Sequence, residues 1–298
     1  AATRDDIVGI TAAMMRPVGL GPMHEAYPGR VIDVGIAEAE AVASAAGMAY
    51  QGAHPVVALY ATFLNRGFDQ LLMDVALHRA GVTFVLDRAG VTGADGASHN
   101  GVWDIAMCSL VPGLRLAAPR DEETLRARLR EALDVDDAPT VIRYRKGSLP
   151  EPMPALRSVG GVDILCDEAV ADSPARVLIV GTGACAPDAI EAARRLSEGG
   201  VSVTVADPQW MIPVCPELAT LARDYDCVVS VEDGIVQGGF GWSLRDAVAE
   251  AGVPVRCLGV PQGFPEHGER GEMIAQFGFD ADGIERAARE LVERVGKR

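Results

Sequence analysis

The sequence predicts an α/β protein of two domains, each built on a mostly parallel sheet that is flanked by helices. Along both halves of the chain, apolar and β-branched runs alternate with amphipathic stretches, as in repeated βαβ units. Of the 298 residues 49% are hydrophobic and only 5% are aromatic, which suits helices that pack closely on buried strands. Residues 147–161 contain proline and glycine without periodicity, which predicts an interdomain linker.

The first domain, residues 1–148, is predicted from apolar runs that each lead into a stretch with helical spacing. The predicted strands are Ile7–Thr11, Val31–Ile36, Pro55–Tyr60, Val82–Asp87, Leu114–Pro119 and Thr140–Tyr144. The predicted helices are Glu38–Tyr50, Phe63–Ala80, Gly101–Leu110 and Glu122–Asp134. Ala1–Asp6 resembles the end of a helix, from which we expect that further sequence precedes this chain.

The linker is placed at residues 149–161 and the second domain at 162–298, where the same alternation returns more compactly. The predicted strands are Val177–Val180, Val201–Ala206, Cys227–Val231 and Val255–Val260. The predicted helices are Pro187–Glu198, Glu217–Tyr225, Gly241–Ala251 and Ala281–Val295.

Charge and cysteine content argue against several kinds of partner and site. The formal net charge of −15 and the pI near 4.7 disfavour a nucleic-acid backbone or an anionic membrane as partner. We expect neither a membrane span nor a secretory signal, because no long apolar run and no charged-then-apolar leader occurs. The six cysteines form no CxxC pair and the five histidines show no ligand spacing, so we expect buried thiols in a reducing cytoplasm and no metal site.

Glu38 lies at the junction between the predicted strand Val31–Ile36 and a helix of small residues. Parallel sheets bind ligands beyond the carboxyl ends of their strands, where backbone amides and short loops are presented. Glu38 is therefore a candidate site residue. The alternative is a structural carboxylate in a first helical turn, which the helix dipole favours.

Other strand ends also carry polar groups. Tyr60, Phe63 and Arg66 offer a phenol, an aromatic face and a guanidinium, with a core Phe and a surface Arg as the alternative. The next strand leads into the loop Asp87–Gly101, whose glycines would let the backbone approach a ligand closely. The basic cluster Arg143–Gly147 suits phosphate or carboxylate, with solvated charge as the alternative.

Two glycine loops in the second half are weaker signals. Gly181-Thr-Gly183 resembles part of a dinucleotide fingerprint, but the third glycine is absent, so we favour simple packing over nucleotide binding. Gly234–Gly241 follows Glu232 and leads into a helix, which fits a tight crossover or a subunit contact.

The order of these motifs resembles the thiamine-diphosphate synthases of the transketolase group, and most closely the 1-deoxy-D-xylulose-5-phosphate synthases of actinobacterial type. The resemblance covers essentially the whole chain, and its first four motifs together are highly specific. The motifs are ITAAM (Ile10–Met14), DVGIAE (Asp33–Glu38), YATFLNRGFDQ (Tyr60–Gln70), DRAGVTGADGASHNG (Asp87–Gly101), APRDEETLR (Ala118–Arg126), IRYRKG (Ile142–Gly147) and, more weakly, VEDGIVQGGFG (Val231–Gly241) and FPEHGERGEM (Phe264–Met273).

The resemblance implies a pyrimidine-binding domain, the central domain of transketolases, at 1–148 and a transketolase C-terminal domain at 162–298. It implies a cytoplasmic transferase that decarboxylates pyruvate and passes its two-carbon unit to glyceraldehyde 3-phosphate. The implied product is 1-deoxy-D-xylulose 5-phosphate, which serves isoprenoid and thiamine biosynthesis.

The resemblance also implies roles for single residues of the cofactor site. Glu38 falls on the glutamate that hydrogen-bonds the aminopyrimidine ring of thiamine diphosphate, where its carboxyl group must donate a proton. Phe63 falls on the aromatic residue that stacks on the pyrimidine. Arg66 matches a pocket position and is assigned with them to cofactor binding.

Five positions match the family's substrate pocket, namely Tyr60, Arg88, Asp95, His99 and Lys146. Arg88 and Lys146, with Tyr60, would hold the phosphate of the acceptor aldehyde. Asp95 and His99 would contact its hydroxyl groups or the reaction intermediate, which makes them, together with Glu38, the implied catalytic residues.

Two departures from the family pattern matter. Where the family usually reads Glu-Gln-His, this chain has Glu38-Ala39-Glu40, which brings a second carboxylate close to the site. Positions two apart on a helix face differently, so we do not expect Glu40 to duplicate Glu38. The family's amino-terminal module, which grips the diphosphate through a GDG…N motif and Mg²⁺, is matched by no stretch of this sequence. We therefore expect thiamine diphosphate and Mg²⁺ as cofactors, with the Mg²⁺ ligands on that module.

Catalysis by this chain alone is accordingly not expected. Its implied partner is the amino-terminal module or a separate subunit, in a homodimer or heteromer, and no nucleic acid or membrane partner is expected. Two other functions stay open. One is a subunit of a split transketolase-like enzyme of a specialised pathway with a different acceptor, which Glu40 favours. The other is a non-catalytic module, against which the joint retention of the site residues argues.

Overall fold

The computed structural model describes residues 1–148 and 150–296, and it contains two six-stranded sheets with helices packed on them. The first sheet lies in the predicted first domain and five of the six strands of the second sheet lie in the predicted second domain, so the predicted α/β class is confirmed. Leu149, the first residue of the predicted linker 149–161, lies outside the described residues, as do residues 297 and 298 at the end of the predicted second domain.

The first sheet is parallel throughout and has the strand order β2-β1-β3-β4-β6-β5. Its strands are β1 (Ile7–Thr11), β2 (Val31–Asp33), β3 (His54–Tyr60), β4 (Thr83–Asp87), β5 (Arg115–Ala117) and β6 (Thr140–Arg143). The helices are α1 (Gly21–Ala26), α2 (Glu38–Ala49), α3 (Phe68–Gln70), α4 (Asp104–Cys108) and α5 (Glu122–Ala132). Val57, Leu59 and Phe84 are fully buried, as expected for central strands that are covered on both faces.

The second sheet has the order β12-β11-β9-β10-β8-β7, with parallel pairs from β12 to β10 and an antiparallel edge formed by β8 and β7. Its strands are β7 (Arg157–Val159), β8 (Val162–Glu168), β9 (Arg176–Gly181), β10 (Ser202–Pro208), β11 (Cys227–Ile235) and β12 (Val255–Val260). The helices are α6 (Ala186–Glu198), α7 (Pro216–Ala222), α8 (Phe240–Ala247), α9 (Arg270–Phe277) and α10 (Ala281–Val295). None of the helices in 1–148 and 150–296 has the length and apolar character needed to cross a membrane.

The strands β7 and β8 are absent from the prediction, and β7 begins the second sheet inside the stretch predicted as a linker. The sequence of β8, VDILCDE, does not alternate regularly between apolar and polar residues, and its first four residues are all buried. One of them, Asp163, is buried in an ion pair with Arg120 of the first domain, at 2.7 Å. An acidic residue inside the strand interrupts the apolar run that would have revealed it.

The predicted helix Phe63–Ala80 is divided into a 3₁₀ turn at Ala61–Gly67, the short α3 and a π-helical stretch at Leu71–Ala76. The division occurs at Gly67, where a Cβ atom would lie 2.8 Å from Cγ2 of Val42 on α2. The 3₁₀ turn therefore packs directly on α2. This packing brings the turn's side chains to the beginning of α2.

The prediction that Ala1–Asp6 form the end of a helix is wrong, because these residues are not helical. The guanidinium of Arg30 donates to the carbonyl oxygen of Ala1 at 3.1 Å and also to that of Arg4. It donates in addition to the carbonyl oxygen of Ile7 at 3.0 Å. The segment is thus held by a side chain rather than by helical hydrogen bonds.

The two domains meet along β5, at one edge of the first sheet. The backbone N–H of Leu116 donates to the carbonyl oxygen of Ile212 at 3.0 Å, and that of Met211 donates to the carbonyl oxygen of Leu116 at 2.7 Å. Gly183 has a φ of +50°, and a Cβ there would lie 2.8 Å from the carbonyl oxygen of Ala118. The glycine loop after β9 is therefore explained by close interdomain packing.

Candidate active site

The predicted site residues gather at one edge of the first sheet. Because its strands are parallel, their carboxyl ends share this edge, where Tyr60 ends β3, Asp87 ends β4 and Arg143 ends β6. These three strands are neighbours, so the segments that follow them face one another. Glu38 begins α2 a few residues after the end of β2 and joins the same edge.

Glu38 is buried at the first position of α2, with 3% of its surface exposed. Nε of Arg66 lies 3.1 Å from its Oε2, while the Arg66 side chain is 57% exposed. This ion pair lacks hydrogen-bond geometry, so Oε2 is a buried oxygen without a hydrogen-bond partner among the described residues. Such an oxygen costs free energy unless a ligand supplies a hydrogen-bond partner. Glu38 is therefore placed to bind a polar group.

Phe63 contacts two other rings at this edge. Its ring is stacked on that of Tyr60 at a centroid distance of 6.0 Å and meets His99 edge-on at 5.6 Å. The guanidinium of Arg88 covers the Tyr60 ring, 4.0 Å from its centroid. Ring–ring and cation–π contacts of this kind fix the relative orientation of the side chains. The structure thus brings together four predicted site residues from two segments, the end of β3 with the 3₁₀ turn that follows it and the loop Asp87–Gly101.

Arg88 is held in place by its neighbour Asp87. Its φ of +59° is left-handed, a conformation that is uncommon outside glycine. The Arg88 backbone N–H donates to Asp87 Oδ1 at 2.6 Å, and its guanidinium pairs with the same carboxylate. Burial raises the pKa of Asp87, and the charge of Arg88 opposes that rise. Backbone and side chain together direct the guanidinium over Tyr60.

The loop after β4 is ordered by internal hydrogen bonds. Asn100 is fully buried, accepts from the backbone N–H of Thr92 at 2.8 Å and donates to the carbonyl oxygen of Gly96 at 2.9 Å. The hydroxyl of Thr62 donates to the carbonyl oxygen of Ser98 at 2.9 Å, which ties the loop to the 3₁₀ turn. The loop that carries Asp95 and His99 therefore has a defined shape.

Asp95 and Lys146, both predicted to bind substrate, are partners of each other. Lys146 Nζ donates to both carboxylate oxygens of Asp95 at 2.8 Å. Both side chains are partly exposed, and an ion pair in such a position contributes little net stability. A ligand can therefore replace Asp95 on Lys146 at small cost.

The second domain packs on the outer side of the loop Asp87–Gly101. A Cβ atom at Gly90 would collide with Oδ2 of Asp233, and one at Gly96 would lie 2.5 Å from the ring of His267. Both glycines have positive φ, at +77° and +80°, so the conformation and the space exclude other residue types. The C-terminal domain thus helps to fix the loop that carries the predicted substrate residues.

Arg143 is buried between two aspartates, one from each domain. Its Nε donates to Asp104 Oδ2 at 2.7 Å, and its Nη1 donates to Asp233 Oδ1 at 2.5 Å. The three side chains are at most 2% exposed. Burial opposes the charge of Arg143, but the two carboxylates raise its pKa well above the usual range. The two domains are thus joined by a buried ion-pair cluster next to the site.

Asp104 and Asp233 are absent from the predicted site, although Asp233 lies in one of the quoted motifs. The sequence around each residue contains one indication of its importance: Asp233 interrupts the apolar strand β11, and Asp104 begins α4. A buried acidic residue in such a position requires a cation, but the chain gives no indication of which one.

Comparison with known protein families identifies both halves of the chain. The family described as "Transketolase, pyrimidine binding domain" matches residues 1–152, just over half of the chain. The chain belongs to the transketolase family. The description "Transketolase, C-terminal domain" matches residues 169–284, which contain the strands β9 to β12 of the second sheet.

Curated relatives of this transketolase-family chain are 1-deoxy-D-xylulose-5-phosphate synthases, as the resemblance predicts. Synthase 2 of Kitasatospora griseola is 55% identical over 293 residues, which are 97% of this chain and 46% of the relative. Synthase 2 of Streptomyces avermitilis is 54% identical over 297 residues, which are 99% of this chain and 46% of the relative. The chain therefore spans less than half the length of these curated relatives.

Two solved transketolases share the fold. A chain described as a split gene transketolase, inactive beta4 tetramer, is 25% identical with a TM-score of 0.82, over 98% of this chain and 93% of that chain. Transketolase from Leishmania mexicana is 22% identical with a TM-score of 0.77, over 97% of this chain and 43% of that chain. The second likeness shows the fold alone.

Proposed function

We propose that this chain forms the pyrimidine-binding and C-terminal half of a thiamine-diphosphate-dependent synthase. The synthase would join pyruvate and glyceraldehyde 3-phosphate into 1-deoxy-D-xylulose 5-phosphate with release of CO₂, for isoprenoid and thiamine biosynthesis. The relatives named for this product are 54–55% identical along almost the whole chain. The observation that carries the proposal is the buried Glu38 carboxylate, whose Oε2 has no hydrogen bond among the described residues.

The residues at this edge fit the pyrimidine end of thiamine diphosphate. A ring nitrogen would give Glu38 Oε2 the hydrogen-bond partner that the protein does not provide. The half-buried ring of Phe63 offers a surface for stacking on a planar heterocycle. When bound, this cofactor supplies the electron sink for the decarboxylation of pyruvate.

Glu38 would hold a proton at Oε2 and exchange it with the ring nitrogen. Its burial keeps water away from this proton, because only 3% of the residue is exposed. Arg66 lies 3.1 Å from the same oxygen and therefore competes for it. We expect Arg66 to release Oε2 when the cofactor binds, which its exposed position allows, and to remain beside the cofactor as a proposed binding residue.

Arg88, Lys146 and Tyr60 would form the clamp for the phosphate of the acceptor. Arg88 already lies over Tyr60, and Lys146 is bound only to a partly exposed carboxylate among the described residues. A phosphate group that binds Lys146 would displace the carboxylate of Asp95 from it. Asp95 and His99 would then contact the hydroxyl groups of the acceptor, as proposed catalytic residues beside Glu38.

The diphosphate end of the cofactor and its Mg²⁺ need other residues. Within 1–148 and 150–296, no three His, Cys, Asp or Glu side chains are grouped so that they could hold a metal ion. We propose that these sites lie on an amino-terminal module or on a partner subunit, in a homodimer or heteromer. All six cysteines are free thiols, which supports our proposal of a cytoplasmic location.

The test combines this chain with the part of the Kitasatospora griseola synthase that it does not match, in the presence of thiamine diphosphate and Mg²⁺. We expect CO₂ and 1-deoxy-D-xylulose 5-phosphate only when both parts are present. Glu38→Gln should lower kcat by about 10²-fold or more, because it removes the proton donor. Glu25→Gln changes an exposed carboxylate on α1 and should leave kcat unchanged.

Normal turnover by Glu38→Gln would refute the assigned role. If the mixture binds thiamine diphosphate but forms no product from glyceraldehyde 3-phosphate, the acceptor is wrong. If it does not bind the cofactor at all, the chain is a non-catalytic module.

A second candidate is a subunit of a split transketolase-like enzyme with a different acceptor. The split gene transketolase favours this candidate, because the match covers 98% of this chain and 93% of that one, so the two chains have a similar extent. The same mixture, supplied with ketose phosphates as donors and aldose phosphates as acceptors, separates the two candidates. Faster two-carbon transfer from a ketose phosphate than from pyruvate would favour the split transketolase.

A further inference from the structure

A cavity of about 230 Å³ lies between the two domains, beside the segment that follows β6. The first domain contributes the ends of β5 and β6, and the second contributes Ala184 and Asp233. Part of the wall is apolar, with Pro119, Leu125 and Pro150. The cavity therefore has room for a small molecule with a short apolar part.

The segment Arg143–Lys146 contributes to two sites, because Arg143, Tyr144 and Arg145 line the interdomain cavity whereas Lys146 pairs with Asp95. Lys146 binds Asp95 on the side of the proposed active site. Arg143 binds Asp233 at the domain interface, and Arg145, two residues further, lines the interdomain cavity with it. Arg145 thus belongs to a site separate from the proposed phosphate clamp.

Three arginines line the cavity, Arg120, Arg143 and Arg145, and in the part of the chain that the structure describes only Arg145 has no carboxylate partner. Its Nη2 donates only to the carbonyl oxygen of Ser148, at 3.4 Å, whereas Arg120 and Arg143 are each paired with two aspartates. Arg145 is half-buried, so its charge is only partly compensated by water. In a chain with a net charge of −15, such a cation is a candidate binding group.

Burial of the Arg145 guanidinium lowers its pKa, the charge of Arg270 adds to that effect, and the charge of Asp233 opposes it. An anion bound to Arg145 would offset the cost of this burial.

We propose that this interdomain cavity binds a small oxyanion, a carboxylate or phosphate monoester with a short apolar part, through Arg145. The ligand would be distinct from the substrates of the proposed reaction, and it would link the two domains. The proposal does not depend on the proposed function, because none of its residues has a role there.

The test is titration calorimetry of the full chain at low ionic strength, with glycerol phosphate and butyrate as probes. A background with both Arg88→Gln and Lys146→Gln removes the two cations of the proposed acceptor clamp, so the remaining binding reports the cavity. We expect saturable binding that Arg145→Gln weakens about tenfold or more, as for loss of a charge-assisted hydrogen bond. Arg130→Gln removes the same charge from an exposed position on α5 and should leave the affinity unchanged.

Preference for glycerol phosphate would identify a phosphate monoester as the ligand, and preference for butyrate a carboxylate. Ala184→Leu fills the cavity without changing the charge and should weaken binding of the same probe. This variant provides the test if Arg145→Gln does not fold. Failure of both probes to bind, or binding that survives both substitutions, would overturn the proposal.

Discussion

At the scale of single residues, Glu38 and Glu40 show how two carboxylates of one helical turn acquire different environments. Glu38 is buried, with an oxygen that lacks a hydrogen bond, whereas Glu40 is exposed and accepts from the hydroxyl of Ser44 at 2.8 Å. Two positions along an α-helix differ by about 200° in direction, because one turn takes about 3.6 residues. Glu40 therefore acts on the site through its charge rather than by contact.

We predict that Glu40→His leaves the fold intact and changes turnover or acceptor preference. Removal of the carboxylate lowers the repulsion of the two proposed anionic substrates, so KM for pyruvate or glyceraldehyde 3-phosphate should fall by about threefold. The reconstituted assay measures kcat and KM, and urea unfolding verifies stability. Glu40→Gln separates the loss of charge from the gain of an imidazole. Identical kinetics in the wild type and both variants would contradict the prediction.

At the scale of elements, the beginning of α8 depends on a carboxylate from the preceding strand. Glu232 of β11 is fully buried and accepts from the backbone N–H groups of Phe240 and Gly241, both at 2.9 Å. Gly239 precedes the helix, because a Cβ there would lie 2.5 Å from Glu232 Oε2. Burial raises the pKa of Glu232 to about 7, although the two N–H groups favour its charged form. These contacts explain the glycine loop Gly234–Gly241 as a tight crossover.

The shifted pKa of Glu232 predicts how stability depends on pH. Its folded value of about 7 lies above the unfolded value of about 4.3. Between these values the folded state binds more protons, so the free energy of unfolding falls as pH rises from about 4 to about 7. The pKa of Asp207, which burial also raises to about 7, contributes with the same sign.

We predict that Glu232→Gln makes this fall shallower and lowers stability by about 1–3 kcal/mol at pH 5. The amide keeps one acceptor oxygen, so one buried N–H of α8 loses its partner. Urea unfolding at pH 5 and pH 7.5 measures both effects. Glu250→Gln, at an exposed position, is the control. A pH slope equal to that of the wild type would show that Glu232 does not titrate in this range.

At the scale of the whole molecule, buried ion pairs join the two domains. Two arginines of the first domain, Arg120 and Arg143, each pair with two aspartates, and three of these four acids belong to the second domain. The pairs are Arg120 with Asp163 and Asp207, and Arg143 with Asp104 and Asp233. Loss of one partner leaves an uncompensated buried charge, which is more costly than loss of the whole group.

We predict that Arg143→Met lowers the free energy of unfolding by about 3–5 kcal/mol, because Asp104 and Asp233 remain buried without their cation. Denaturant unfolding measures the loss. The addition of Asp233→Asn should recover part of it, since one of the two charges is then removed. Arg115→Met, at an exposed position, should cost little. A loss below about 1 kcal/mol for Arg143→Met would mean that the cluster does not hold the domains together.

The sequence by itself determined the α/β class, the order of most elements and the common edge of the site. The strands β1 and β12 and the helix α10 have the predicted limits, and in α10 the apolar spacing coincides with burial. Tyr60 and Asp87 were predictable neighbours, since successive parallel strands present their carboxyl ends at one edge.

Only the tertiary structure decided which charged groups are partners. Lys146 and Asp95 are 51 residues apart, and Arg143 and Asp233 are 90 residues apart. Periodicity reports which side of a local segment is buried, and it carries no information about contacts between distant segments. The antiparallel edge of the second sheet escaped prediction for the same reason, because burial of Asp163 inside β8 depends on Arg120 of the other domain. The position of Arg145 in a cavity between the domains, without a carboxylate partner among residues 1–148 and 150–296, also became visible only in the folded chain.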